Sequence, residues 1–212
     1  SFKDYLKSKL LLFQNLLKKN SNVITDINIP QYKTIKNIAE KKHHKIFTIG
    51  SKKSYLELIK HEYIDDRQLF KIKYKNKVYD ITVNLIGKIQ IKNVLMAMIA
   101  AEKSNIQFVQ IIKSIHKIKP INGRIEKIGY LKNSSKVILD YAHTPEALSS
   151  CLQNLEQQYK NRKIAIVFGC GGDRDKSKRS KMGKIANKFC DKIYLTDDNP
   201  RFENPKKIRL SI

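Results

Sequence analysis

Apolar and polar positions fall into alternating blocks along the second half of the chain. Three short runs rich in Ile, Val and Leu, 136–140 (KVILD), 163–168 (KIAIVF) and 192–196 (KIYLT), lead into the polar clusters DYAHTPE, GCGGDRD and TDDNPR. Runs of this length bounded by turn residues predict strands buried on both faces of a parallel sheet. Segments of helical length separate them, TPEALSSCLQNLEQQYK and SKMGKIANKFC. A βαβαβ alternation implies right-handed crossovers, so the three polar loops open at one carboxyl edge, where ligands of open α/β sheets bind. Strand 136–140 is thus expected to pair with 163–168, and 163–168 with 192–196. Asp140, His143, Asp173, Arg174, Asp175, Asp198, Asn199 and Arg201 then face one cleft. Thr144-Pro145-Glu146 reads as an N-cap, a proline at the first helical position and an acid facing the positive end of the helix dipole. Asn204-Pro205 repeats the device.

The first half is patterned less regularly. Leu6, Leu10, Phe13 and Leu17 share one face of an amphipathic helix over 1–19. NVITD and KIFTIG read as strands on either side of a helix near 31–42. LFKIKYK and VYDITVN read as a hairpin turning at Asn76-Lys77. Helices near 91–103 and 105–117 follow, and Pro120 to Gly123 marks a hinge. The length of 212 residues allows two modest domains.

Charge changes this picture little. The net charge is +24, yet only 7 of the 43 basic residues are Arg and the other 36 are Lys, spread over the whole chain. There is no arginine-rich stripe and no aromatic platform for stacking bases, so a solvated lysine surface is favoured over a specific nucleic-acid site. Three cysteines without CxxC spacing fit reduced thiols in a cytoplasm, and no apolar run reaches membrane-spanning length. Cys170 lacks a His nearby in sequence and reads as structural. His43 and His44 stand among lysines and read as exposed; His61 and His116 show no partner pattern.

The polar loops limit the chemistry. GCGGDRD has no Gly-Lys-Ser/Thr for a P-loop, and Arg174 stands where a dinucleotide fingerprint needs its third glycine. Arginines set among carboxylates and an amide suit a zwitterion: Arg174 and Arg201 can fork onto a carboxylate while Asp198 accepts from an ammonium. Mutual pairing of these charges across the loops is the competing reading.

The string VFGCGGDRDKSKRSKMGKIA followed by TDDNPRFENP resembles the C-terminal domain of the Mur ligases that add the third peptide residue to the peptidoglycan precursor. DYAHTPEAL and NGRIEKI resemble the start of that domain and the segment before it, and LIGKIQIKNVLMAMIAA resembles the family's helix entry. The resemblance implies an α/β fold: a partial central ATP-binding domain over 1–119, then a partial Rossmann-like ligase domain over 120–212 with a mainly parallel sheet. It implies an ATP- and Mg²⁺-dependent cytoplasmic ligase acting through an acyl phosphate, with UDP-N-acetylmuramoyl-L-alanyl-D-glutamate and meso-diaminopimelate as substrates. Asn93, Arg124, Asp140 and His143 match nucleotide-side positions. Arg174 with Asp198, Asn199, Pro200 and Arg201 match the diaminopimelate site, and an unchanged Asp-Asn-Pro-Arg marks diaminopimelate selection. A lysine-adding relative and a non-catalytic polyanion-binding module are the alternatives. A monomer without membrane insertion or specific nucleic acid is expected.

Departures from the family pattern bear on activity. The family's Phe-Asn appears as Ile89-Gln90, while Asn93 is kept. The chain starts at Ser1 and contains no G-x-x-G-K-[ST], no carbamylated-lysine segment and no Gly-Lys-Gly-His-Glu segment, so it reads as an internal fragment. Without a phosphate clamp the chain alone is expected to be inactive. Incubated with ATP, Mg²⁺, the dipeptide nucleotide and diaminopimelate, it should yield no tripeptide; turnover above background would refute the fragment reading.

Overall fold

Apolar alternation at 22–26 and 45–50 builds the first pair of strands. In the computed structural model, which describes residues 2–212, β1 (Asn22–Asp26) and β2 (Lys45–Gly50) lie parallel in the register Asn22↔Lys45 to Asp26↔Ile49, joined by α2 (Tyr32–Lys41). Ahead of them α1 (Phe2–Leu11) runs into a π-helical turn, Leu12–Leu16. Leu10, Phe13 and Leu17 pack on Val23, Ile35 and Ala39, as the apolar stripe predicts. β3 (Leu56–Ile64) continues the sheet in parallel, and β4 (Arg67–Tyr74) and β5 (Lys77–Val83) add antiparallel strands, so the order β1-β2-β3-β4-β5 is mixed. β3 was not anticipated, because charges interrupt the alternation of LELIKHEYI. The β4–β5 turn falls at Lys75-Asn76, one residue before the expected place. Both residues have positive φ (44° and 62°), the turn geometry that fits the twist of paired strands.

α3 (Lys88–Lys103) covers the sheet with Ile91, Val94, Leu95, Met98 and Ile99, one face of a 3.6-residue repeat. Its Lys92 reaches Asp26 at 2.6 Å, and Asp26 is only 5% exposed. At its other end Glu102 accepts from Tyr55 Oη at 3.0 Å and Tyr74 Oη at 3.1 Å. α4 (Phe108–Ser114) and a 3₁₀ turn follow.

Two histidines differ from their sequence reading. His44 is buried, with Nε2 3.1 Å from the Phe13 carbonyl oxygen, because the left-handed His43 (φ 56°) turns the chain back over α2. His61 is half-buried with Nε2 2.7 Å from Gln68 Oε1, and burial lowers its pKa.

The chain forms two units: residues up to Asn84 with Lys88–Ile118, and Leu85–Gly87 with Lys119–Ile212. The second contains β6 (Glu126–Tyr130), β7 (Lys136–Leu139), α5 (Pro145–Gln158), β8 (Ala165–Phe168), α6 (Ser177–Phe189), β9 (Lys192–Leu195) and α7 (Pro205–Leu210). Thr144 Oγ1 and Asn204 Oδ1 cap α5 and α7 by accepting from Ala147 and Lys207 N–H. β8 and β9 are parallel, from Ala165↔Lys192 to Phe168↔Leu195. The expected ladder between 136–140 and 163–168 is absent among the described residues: β7 pairs with β6, antiparallel. The segment after β7 is drawn the same way, since Tyr141 N–H bonds the Gly123 carbonyl and Asp140 accepts from Ile125 N–H. Nor are β8 and β9 buried on both faces. One face of β8 rests on α5 and α6 while Val167 on the other is 69% exposed, and every residue of β9 is exposed, Tyr194 at 54%.

Leu148 and Leu152 of α5, Cys170, Met182 of α6 and Ile208 of α7 form the core directly beneath the glycine loop. Met182→Ala should lower stability by about 2–5 kcal/mol, the usual cost of removing a buried Met side chain. Urea unfolding checks this; a change below about 1 kcal/mol would show that the core lies elsewhere.

Candidate functional site

Parallel pairing of β8 with β9 sends their following loops, 169–176 and 196–204, out of the same sheet edge. The loops then meet backbone to backbone. Gly172 N–H donates to the Asn199 carbonyl at 2.9 Å, and a Cβ on Gly172 would stand 1.8 Å from the Pro200 oxygen. A Cβ on Gly169 would stand 2.3 Å from the Thr196 oxygen. The two glycines therefore serve close approach, where any side chain would push the loops apart.

Most charges here are committed to holding the loops. Asp173 Oδ2 accepts from Phe202 N–H at 3.1 Å, and Asp175 Oδ1 accepts from Ser177 N–H and Oγ at the start of α6. Arg179 of α6, 4% exposed, forks onto Glu203: Nη1 to Oε2 at 3.0 Å and Nη2 to Oε1 at 2.9 Å. Glu203 Oε1 also accepts from Asp173 N–H at 2.7 Å. The Arg179 fork and this backbone bond hold the Glu203 carboxyl down at about 2. Asp197 pairs with Arg209 of α7.

The groups left facing solvent are fewer. Arg174 is exposed, with no hydrogen bond or ion pair of its guanidinium among the described residues. Asp198 is exposed, and its Oδ1 accepts from Asn199 N–H. Asn199 Oδ1 accepts from Arg201 N–H at 3.2 Å, which leaves the amide nitrogen as donor. Arg201, at φ 50°, gives one guanidinium N–H to the Gly172 carbonyl at 2.6 Å and keeps its others. It contacts neither Asp197 nor Glu203 by hydrogen bond, since each has another arginine. Donors from Arg174, Asn199 and Arg201 beside the carboxylate of Asp198 suit an α-amino carboxylate.

A second group gathers after β7. Tyr141, 64% exposed, lies beneath Arg124 (5.3 Å to the ring centroid) and beside His143 (5.0 Å between rings). Asp140 Oδ2 accepts from Ile125 N–H at 2.8 Å and Oδ1 from Ala142 N–H at 2.9 Å. Ile125 is held at φ 48°. A β-branched residue there costs about 1–3 kcal/mol, so Asp140 holds a strained backbone next to Arg124. Lys178 Nζ donates to the His143 carbonyl at 2.9 Å and ties this loop to α6. Asn93 lies in the other unit, exposed on α3, its amide 3.4 Å from Gln90 Oε1. Among the described residues no three His, Cys, Asp or Glu side chains cluster to hold a metal ion. Burial raises the pKa of Cys170, and its Sγ lies 3.9 Å from Met182 Sδ, so it is a packed thiol.

Sequence reading missed Arg179, Glu203, Lys178 and Tyr141. One signal was available: in a chain with 36 Lys and 7 Arg, arginine persists where a planar fork is needed, and four of the seven lie between 174 and 209.

The Mur ligase middle domain matches residues 1–101, and the Mur ligase glutamate ligase domain matches 123–212. A UDP-N-acetylmuramoyl-L-alanyl-D-glutamate–2,6-diaminopimelate ligase of Rickettsia typhi is 37% identical over 210 residues, covering 99% of this chain and 42% of the relative. The ligase of that name from Agrobacterium fabrum is 31% identical over 212 residues, covering 100% and 43%. A solved structure of such a ligase is 27% identical with a TM-score of 0.65, covering 100% of this chain and 43% of the other. The D-alanyl-D-alanyl-adding ligase of Acinetobacter baumannii, 16% identical, shares the fold at a TM-score of 0.70, covering 97% and 43%. The chain thus spans less than half the length of the curated relatives it matches.

The depressed Glu203 pKa predicts a pH dependence. Its contribution to stability is complete above the ordinary glutamate value of 4.5 and is lost as pH falls through about 2. Between pH 5 and pH 2 the unmodified chain should therefore lose more stability than Glu203→Gln. Thermal melts across that window check it, and parallel curves would remove Glu203 from the clasp.

Proposed function

The chain belongs to the Mur ligase family, and from that premise we propose that it carries the amino-acid-selecting loops of an ATP-dependent ligase. The reaction is addition of meso-diaminopimelate to UDP-N-acetylmuramoyl-L-alanyl-D-glutamate in peptidoglycan precursor synthesis, a cytoplasmic step with small-molecule substrates. The observation that supports it most is the juxtaposition of Arg174 with Asp198–Arg201 through the Gly172–Asn199 contact.

The chain's own residues recognise and orient. Arg174 and the remaining N–H groups of Arg201 fork onto a carboxylate of diaminopimelate, the Asn199 amide adds a donor, and Asp198 takes an ammonium. This leaves the amine at the other end of the molecule to react. ATP, when bound, supplies the phosphoryl group that activates the D-glutamate carboxylate. Arg124, Tyr141 and His143 offer an exposed aromatic surface with a cation, which fits the base and ribose end of a nucleotide. Asp140 retains lone pairs for ribose hydroxyls beyond its two backbone bonds. Asn93 belongs to the same nucleotide role. Mg²⁺ is assigned to no side chain of this chain.

Specificity tests the reading. The reacting amine of diaminopimelate is itself an α-amine, and lysine with its α-amine in that position offers the loops an ammonium and no carboxylate, so it forfeits the fork. Titration of the isotopically labelled chain with meso-diaminopimelate should perturb the amides of Arg174 and Asp198–Arg201, and lysine should not. Arg174→Ala should weaken diaminopimelate binding roughly ten- to a hundredfold, the loss of one charged hydrogen-bonded contact. Equal response to lysine would favour another acceptor. DNA binding that persists at physiological salt, with no response to diaminopimelate, would favour the polyanion-binding alternative.

A further inference from the structure

Arg179 stands apart as the one buried Lys or Arg side chain among the described residues. It is 4% exposed on α6, and its two terminal nitrogens are engaged: a two-bond fork to Glu203 and a longer bond from Nη2 to the Gly171 carbonyl at 3.4 Å. Glu203 sits two residues beyond Arg201 in the loop after β9. Gly171 and Asp173 sit on either side of Gly172 in the loop after β8. One ion pair therefore touches both loops, and Glu203 completes the connection by accepting from Asp173 N–H at 2.7 Å. The return contact is Phe202 N–H to Asp173 Oδ2. Arg174 follows Asp173 directly, and Arg201 precedes Phe202 directly. The backbone bonds made by the clasp thus fix the residues adjacent to both candidate substrate-binding arginines.

We propose that Arg179 and Glu203 are positioning residues for diaminopimelate, holding the two loops at the separation that lets Arg174 and Arg201 engage one substrate. The inference rests on the proposed function of these loops and adds two residues that touch no substrate. Neither charge is placed to bind ligand: Arg179 is buried, and both Glu203 oxygens already have partners. The fork is also specific. A lysine at 179 keeps the charge but cannot bond two carboxylate oxygens and a carbonyl in one plane.

The test combines backbone exchange with ligand titration on Arg179→Met, Arg179→Lys and Glu203→Gln. In each variant the amides of Gly172, Asp173 and Phe202 should lose about tenfold or more of their exchange protection, while Leu148 and Leu152 of α5 keep theirs. Affinity for meso-diaminopimelate should fall roughly tenfold, with Arg179→Lys between the unmodified chain and Arg179→Met. Should Arg179→Met fail to fold, Glu203→Gln, which removes one charge and little volume, carries the same readouts. Loosening that spreads equally into α5 would make the pair a general stabiliser and overturn the inference. So would diaminopimelate affinity that survives in all three variants. Failure of the unmodified chain to bind diaminopimelate would overturn the proposed function and this inference together.

Discussion

Everything in the candidate site depends on two loops touching through backbone. β8 and β9 run parallel, so the loops leave one edge side by side, but parallel strands alone would leave them separated by their own side chains. Gly169 and Gly172 remove that obstacle: the carbonyls of Thr196 and Pro200 occupy the space where their Cβ atoms would stand. With backbone against backbone, Gly172 N–H and Asn199 carbonyl find each other, and Arg201 reaches the Gly172 carbonyl. A loop held this way has little freedom to lose on binding, which is the physical value of preorganisation.

The charges of the site divide into those that build it and those that face solvent. Asp140, Asp173, Asp175 and Glu203 all accept from backbone N–H groups, and Arg179 and Arg209 answer carboxylates. A carboxylate that accepts backbone N–H bonds is held in its charged form and fixes the segment that donates. What remains is a small set, Arg174, Asp198, Asn199 and part of Arg201, with both signs represented. Mutual pairing across the loops, the competing reading of these charges, thus describes the braces and leaves the solvent-facing set unaccounted for. Removing one partner of the buried Arg179 pair would leave a charge without compensation, which is why such pairs are more sensitive to single substitutions than exposed ones.

Cores beneath the sites show the same logic in each unit. α3 lays a continuous apolar face on the five-stranded sheet, while Lys92 answers the buried Asp26 and Glu102 gathers two tyrosine hydroxyls. Burial, with the hydrogen bonds to Tyr55 and Glu102, pushes Tyr74 up to about 12, so its hydroxyl stays protonated as a donor to Glu102 and acts as a structural tie. In the second unit the packed thiol of Cys170 lies where the glycine loop meets α6, so the loop is anchored from below by apolar contact and from the side by the Arg179 fork.

Local chemistry made much of this legible without coordinates. The caps at Thr144 and Asn204, the β8–β9 pairing, the amphipathic stripe of α1 and the placing of Arg174 with Asp198–Arg201 at one edge follow from turn residues and from periodicities of 2 and 3.6, which are properties of neighbours in sequence. Contacts between distant segments were not legible. Whether β7 would pair with β8 or with β6 depended on the Asp140–Ile125 and Tyr141–Gly123 bonds, and nothing in KVILD distinguishes the two partners. His44 was buried by a turn at His43 that lysine-rich flanks concealed. Arg179 and Glu203 lie 24 residues apart in a surface otherwise full of charge, so only the folded loops could select that pair from many possible ones. The sequence by itself determined that the loops after β8 and β9 would share one sheet edge, because strand and helix signals are local. It wrongly put Asp140 and His143 on that edge, since β7 pairs with β6 in a separate sheet. The tertiary structure decided which of the loop charges hold the loops and which remain to meet a ligand, because that choice depends on distances between segments that no local pattern encodes.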